Sequence, residues 1–366
     1  MENRHRLNSI QVSGFKSIQD LELEIRDLNI LIGPNGAGKS NFIELFRFIR
    51  ELVEERMQVY VARKGGAEKM LYYGSKVSQE LKVSIDIAPN YYSFKLVPGQ
   101  GDRLVFEYEN CSFDTDSVKP KRYHENINQT LTESDLGAYS RQKPQGVGKY
   151  VYNALKEWRV YHFHDTSDSA RVKKMGKISD VAYLREDASN LAAFLLQMQN
   201  SHPKHYQRIV KTIQLVIPFF RDFRLKPTYN SPEHILLEWT DQHSDVVFGA
   251  DDLSDGSLRF ICLTALLLQP QLPNLILLDE PELGLHPMAI QILAGLLRKA
   301  AHSTQLIVCT QSPNLVSEFV PEDIIVVEHR EGASTFLRVG EGSLNAWLEE
   351  YSLGELWQKN VIGGRP

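Results

Sequence analysis

The chain of 366 residues is 42% hydrophobic and 24% charged, the balance of a folded globular protein with one large domain or two ordinary ones. Against 46 Asp and Glu stand 41 Lys and Arg, a net charge of −5, which excludes a uniformly basic nucleic-acid coat but leaves room for a local patch. The longest apolar run, Phe260–Leu268, falls far short of the roughly 20 residues a bilayer crossing needs, and the polar start has no signal core.

Ile10–Phe15, Leu21–Ile25 and Leu28–Ile32 read as short strands by their alternating or continuous apolar character. They lead into Gly33-Pro34-Asn35-Gly36-Ala37-Gly38-Lys39-Ser40, after which Phe42, Leu45, Phe46 and Ile49 keep helical spacing. Residues 81–87, 92–97 and 103–108 predict an antiparallel meander with Pro98-Gly99 as one turn. The polar stretch from Cys111 to Gly148 predicts a long excursion, and Trp158–Phe163 a strand. Leu191–Met198 and Tyr206–Ile217 are helical by period, with Pro218 stopping the second. Then come a buried helix Leu258–Leu268, strand Leu275–Asp279, helix Pro287–Ala301, strand Gln305–Cys309 and strand Asp323–Val327. That alternation implies a parallel sheet with crossovers. One nucleotide-binding domain split in sequence is expected, from residues 1–50 and 235–340, with 51–234 inserted and 341–366 a helical tail. Cys111, Cys262 and Cys309 show no metal spacing, so buried reduced thiols and a cytoplasmic, membrane-free location are expected.

Gly33–Ser40 is a complete G-x-x-x-x-G-K-S between a strand and a helix. Its glycines turn backbone N–H groups toward phosphates, Lys39 reaches the outer phosphates of ATP, and the Ser40 hydroxyl ligates Mg²⁺. Four apolar residues, Leu275–Leu278, end in Asp279 and Glu280. Asp279 can hold Mg²⁺ through water, and Glu280 can orient or deprotonate the attacking water. The run Asp252-Leu253-Ser254-Asp255-Gly256-Ser257-Leu258-Arg259 starts a helix 25 residues before Asp279. Ser254 and Gly256 present a hydroxyl and N–H groups suited to a γ-phosphate held by a second copy of the chain.

In this order the motifs resemble the ABC-type ATPase heads of the RecF/SMC/OLD class, and most of all the bacterial RecF-like "AAA family" predicted ATPases. Leu283-Gly284-Leu285-His286-Pro287, Gly14-Phe15-Lys16-Ser17, and Leu353-Gly354-Glu355-Leu356-Trp357 with Gly363-Gly364-Arg365-Pro366 add to the likeness. It implies an α/β P-loop NTPase of the ABC-ATPase head type, with an α+β insertion between the phosphate loop and the signature motif. It further implies an ATP-dependent homodimer acting in DNA metabolism or anti-phage defence. The alternative is an ATP-driven switch that controls a separately encoded nuclease or effector without touching DNA.

Two positions depart from the class. Asp255-Gly256-Ser257 stands where Gly-Gly-Gln is usual, and Gln311 replaces the frequent switch histidine. Gln311 can hydrogen-bond a phosphate or water but cannot take a proton as imidazole does. His162, His164 and Asp165 are either stand-ins for the missing Q-loop glutamine or polar residues at a strand end. Residues 141–177 carry nine Lys or Arg against three acids, either a DNA contact or a solvated face. Trp347, Leu348, Leu353, Leu356 and Trp357 either fold back on the chain or anchor a partner.

Overall fold

The computed structural model describes residues 6–114, 122–127, 129–340 and 344–365. Two six-stranded sheets organise it. One is antiparallel, in the order β2-β1-β4-β5-β6-β7, from β1 (Ser9–Phe15), β2 (Ile18–Glu24), β4 (Leu81–Ile87), β5 (Asn90–Gly99), β6 (Arg103–Asp114) and β7 (Arg122–Asn126). The other runs β18-β17-β3-β16-β15-β8, from β3 (Leu28–Ile32), β8 (Trp158–Tyr161), β15 (Leu275–Asp279), β16 (Gln305–Cys309), β17 (Ile324–Arg330) and β18 (Ala333–Arg338). Its pairings are parallel except β17 with β18. Both sheets recruit strands from either side of residue 50.

Alternation along the parallel strands divides the interior in two. Leu28, Ile30 and Ile32 of β3, with Ile276, Leu278, Leu306 and Val308, face one core. That core is covered by α6 (Leu191–Ser201), α7 (Pro203–Val216), α8 (Asp255–Leu267) and α9 (Pro287–Ala301). Leu31, Leu275, Leu277, Ile307 and Cys309 face the other core. There α1 (Lys39–Val53) lies between the two sheets, burying Phe42, Leu45, Phe46 and Ile49. Each such side chain contributes roughly 1.5–3 kcal/mol relative to exposure. Two three-stranded sheets complete the middle: β10 (Phe220–Phe223) with β13 (Glu238–Asp241) and β14 (Val247–Gly249), and β11 (Pro227–Thr228) with β12 (Ser231–Ile235) and β9 (Gly176–Lys177).

Two local expectations are corrected. Pro98 and Gly99 still pair with Leu104 and Arg103, so the turn comes after them. The stretch from Cys111 to Gly148 holds β7, α4 (Leu136–Gln142) and the start of α5 (Val147–Leu155). Acids fasten it where apolar periodicity is weak. Buried Glu109 accepts from Ser134 Oγ, Asp135 N–H and Tyr92 OH, and Glu133 accepts from the N–H groups of Met57 and Gln58 at the start of α2 (Met57–Arg63). The last segment is two short helices after α10 (Pro313–Val316), namely α11 (Asn345–Leu348) and α12 (Leu353–Gln358). Leu353, Leu356 and Trp357 fold back into the first core while Trp347 stays exposed. The remaining short helix, α3 (Ala67–Met70), links α2 to β4. No described helix is long and apolar enough to cross a membrane.

Candidate functional site

Parallel register assembles the site at one edge of the sheet. Asp279 pairs with Cys309, and Cys309 with Leu31, so the ends of β15, β16 and β3 lie side by side. The residues just beyond those strand ends are therefore brought together: Glu280, Gln311 and the glycine loop.

In that loop Gly33, Gly36 and Gly38 take φ of 151°, 79° and 115°. A Cβ at Gly33 would lie 2.1 Å from Val327 O, and one at Gly38 would lie 2.0 Å from Ser334 Oγ. Ser334 Oγ donates to Ser17 Oγ at 2.7 Å, and Asn41 Nδ2 donates to the same oxygen at 2.7 Å. The early Gly14–Ser17 turn is thus a support under the loop. Gly38 opens α1 with no side-chain cap, leaving the first-turn N–H groups to an anion. Asn35, Gly36 and Ser40 are exposed, Pro34 is half-buried, and Ala37 and Lys39 are buried.

Lys39 Nζ donates to Gly33 O at 2.6 Å and Pro34 O at 3.0 Å. Burial lowers its pKa, an effect resisted by the charges of Glu280, Asp279 and Glu282. Burial raises the pKa of half-buried Asp279, opposed by His164, whose Nε2 lies 2.8 Å from Asp279 O. The His162 and His164 rings lie 4.0 Å apart, tilted at 44°, beyond β8, so both candidate stand-ins reach this edge, while Asp165 accepts from Ser167.

Glu280 has φ of 41°, a conformation costly for a residue with a Cβ. Its N–H donates to Cys309 O at 2.8 Å, and Gln311 Nε2 donates to its Oε1. The amide that replaces the usual imidazole therefore orients the carboxylate.

Ser254 caps α8 by accepting from Ser257 N–H at 3.2 Å. A Cβ at Gly256 would sit 2.2 Å from Gly284 O, so this glycine has a packing reason within its own chain.

Two residues escape a reading of the sequence. Arg259 is buried and donates to Phe163 O at 2.9 Å, His164 O at 3.2 Å and Leu283 O, tying the signature helix to both loops beside Asp279. A lone charge inside an apolar helix run is the available signal. Glu282 is 7% exposed, accepts from Thr310 Oγ1 and from Gln311 N–H at 3.4 Å, and leaves Oε2 unpartnered. Burial pushes its pKa up to about 6.

Four of the nine bases in the 141–177 stretch are ion-paired with acids from other segments. Arg141 pairs with Glu55, Lys143 with Glu125, Arg171 with Asp187 and Lys173 with Asp251. Arg159 stacks on Tyr183, and Lys149 and Lys156 lie near the Tyr152 ring.

A family model described as "AAA domain, putative AbiEii toxin, Type IV TA system" matches residues 28–317. The chromosome partition protein Smc of Myxococcus xanthus (strain DK1622) is 26% identical over 166 residues, 42% of this chain and 12% of that protein's length. An Smc head bound to the C-winged helix domain of ScpA superposes with a TM-score of 0.57 at 17% identity, covering 94% of this chain and 99% of that one. The Smc head with an extended coiled coil bound to the C-terminal domain of ScpA from Pyrococcus furiosus gives 0.54 at 14%, with coverages of 94% and 99%. At these identities the structural likeness is one of fold: an ABC-type ATPase head.

Proposed function

The chain belongs to the AAA-domain family matched over residues 28–317, and on that premise we propose that it hydrolyses ATP between two copies of its head. The observation that carries this reading is Lys39, a buried ammonium held by the loop's own carbonyls beside Asp279 and Glu280. Phosphate oxygens are better partners for that charge than the carbonyls of Gly33 and Pro34. The uncapped start of α1 supplies the remaining donors.

Ser40 and Asp279 are the oxygen donors that would hold Mg²⁺, and among the described residues no cluster of three or more ligating side chains offers a closed cage. Two protein oxygens suit a cation that keeps water and phosphate oxygens in its shell, and its charge offsets that of the phosphates. Glu280, turned by its positive φ and held by Gln311, orients and deprotonates the attacking water. Ser254 and the start of α8 serve the γ-phosphate of the partner copy. In this reading residues 1–50 and 235–340 form the head, joined by strand β8 from the inserted lobe.

The outcome of turnover is either action on DNA or control of a partner effector. The ion pairs that four bases of residues 141–177 make with Glu55, Glu125, Asp187 and Asp251 favour the effector, because they lower the net positive charge offered to a phosphate backbone. Retention on DNA that weakens with salt separates the two.

Light scattering on Glu280→Gln tests the central claim. The mass doubles on adding Mg-ATP and reverts on its removal. A mass that ignores nucleotide breaks the two-copy site.

A further inference from the structure

Gln311 leads directly into α10, which is capped by Ser312. Helix α12 packs on α10 so closely that a Cβ at Gly354 would lie 2.1 Å from Pro313 O. Gly354 N–H donates to Ser317 Oγ at 3.2 Å, and a Ser352–Glu355 capping box fixes where α12 starts. At its other end, fully buried Trp357 donates from Nε1 to Gly364 O. Gly364 N–H donates to Glu328 Oε1 on β17 at 2.8 Å. Gly363 and Gly364 take φ of 80° and 59°. A Cβ at Gly364 would meet Val326 Cγ1 at 2.6 Å and lie 3.5 Å from Gly33 Cα, the first residue of the phosphate loop. Val327 O presses on the same Gly33, so β17 and the tail both confine it.

We propose that residues 352–365 form a strap that positions the nucleotide site, tying the Gln311 switch at one end to Gly33 at the other. The inference rests on the ATP reading of the site. Gly33 loses its hydrogen bond from Lys39 when the ammonium turns to phosphate, and Gln311 loses its bond to Glu280 when that carboxylate engages water. One segment clamped to both makes the two responses a single event. Such coupling is reciprocal: if strap docking favours nucleotide, nucleotide must favour strap docking, typically by about 5–150-fold. Trp357, Gly354 and Gly364 are positioning residues, acting through the loops they touch.

Two variants and one exchange measurement test it. Trp357→Phe keeps a ring and removes the donor to Gly364; Gly364→Ala adds a methyl against Val326 and Gly33. Each is expected to raise the Kd for Mg-ATP about tenfold at a temperature well below its own unfolding transition, which a thermal melt without nucleotide fixes beforehand. In the Glu280→Gln background, Mg-ATP is expected to slow amide exchange across residues 353–365 about tenfold, and Trp357→Phe to abolish that protection. Parental affinity in both variants, or an exchange rate that ignores nucleotide, overturns the strap. Weakened binding without exchange protection overturns it too, since the loss is then one of fold. The parent's own titration tests the ATP reading separately: a parent that binds no ATP removes both.

Discussion

Two helix starts in this molecule carry glycine beside serine, and they are built for opposite ends. The phosphate loop enters α1 through three glycines at positive φ, with no side chain capping the helix and a lysine filling the hollow. The signature turn enters α8 through Ser254, whose oxygen already satisfies Ser257 N–H, and its Gly256 is small so that Gly284 can approach. The first start keeps its first-turn donors uncapped, in a backbone shape that its glycines adopt without a Cβ penalty. The second is satisfied within its own chain, and in the two-copy proposal it must give up a hydrogen bond, or add to it, to receive a partner's phosphate. Glycine in a motif can therefore mean a cradle in one place and a packing contact in another.

Substitutions at and between the two starts separate their roles. The largest effect belongs to chemistry at the open start: Glu280→Gln lowers kcat about a thousandfold while the Kd for ATP stays within about threefold, read by phosphate release and titration. Lys39→Ala raises that Kd about a hundredfold, because several charge-assisted hydrogen bonds go together. If Lys39→Ala bound as the parent does, the hollow would not be a phosphate site.

Gly256→Ala forces a methyl against Gly284 O and costs about 1–3 kcal/mol of stability in denaturant unfolding. A neutral result there means that Gly256 serves only a ligand.

Glu282→Gln probes the ground between the two starts. The folded carboxyl titrates at about 6 against an ordinary 4.5, so the folded state prefers the proton. Its contribution to stability is complete below pH 4.5 and is lost as pH rises through 6. The variant should match the parent near pH 4.5 and exceed it by about 2 kcal/mol above pH 7, at about 1.36 kcal/mol for each pH unit separating the two titration points. A difference that does not vary with pH sinks this assignment. The smallest effect is Ser254→Ala, about 1 kcal/mol from the lost cap, together with loss of the ATP-driven mass change seen by light scattering. Normal stability with lost dimerisation would show that the hydroxyl belongs to the partner's phosphate alone.

The features set by short-range physics are legible in the chain itself. Eight contiguous residues between a strand and a helix define the phosphate loop, and period-two alternation in β3, β15 and β16 assigns each residue to one of two cores. The acids ending β15 and the Gln311 turn are legible for the same reason: each lies just beyond an apolar strand. Whatever depends on distant partners had to wait for the folded molecule. β1 and β2 leave β3 for another sheet, where β1 pairs antiparallel with β4 from beyond residue 80. The polar excursion is ordered by buried carboxylates, whose partners 17 to 76 residues away no periodicity reveals. Arg259 ends the Asp252–Arg259 run in the sequence, and only the fold brings three carbonyls from two loops around it. Gly364 enters the sequence only as part of the family likeness, and only the fold shows Trp357 and Glu328 holding it beside Gly33. Periodicity records which side of its own element a residue faces. The group it meets there is set by elements hundreds of residues away, brought into register by the sheet.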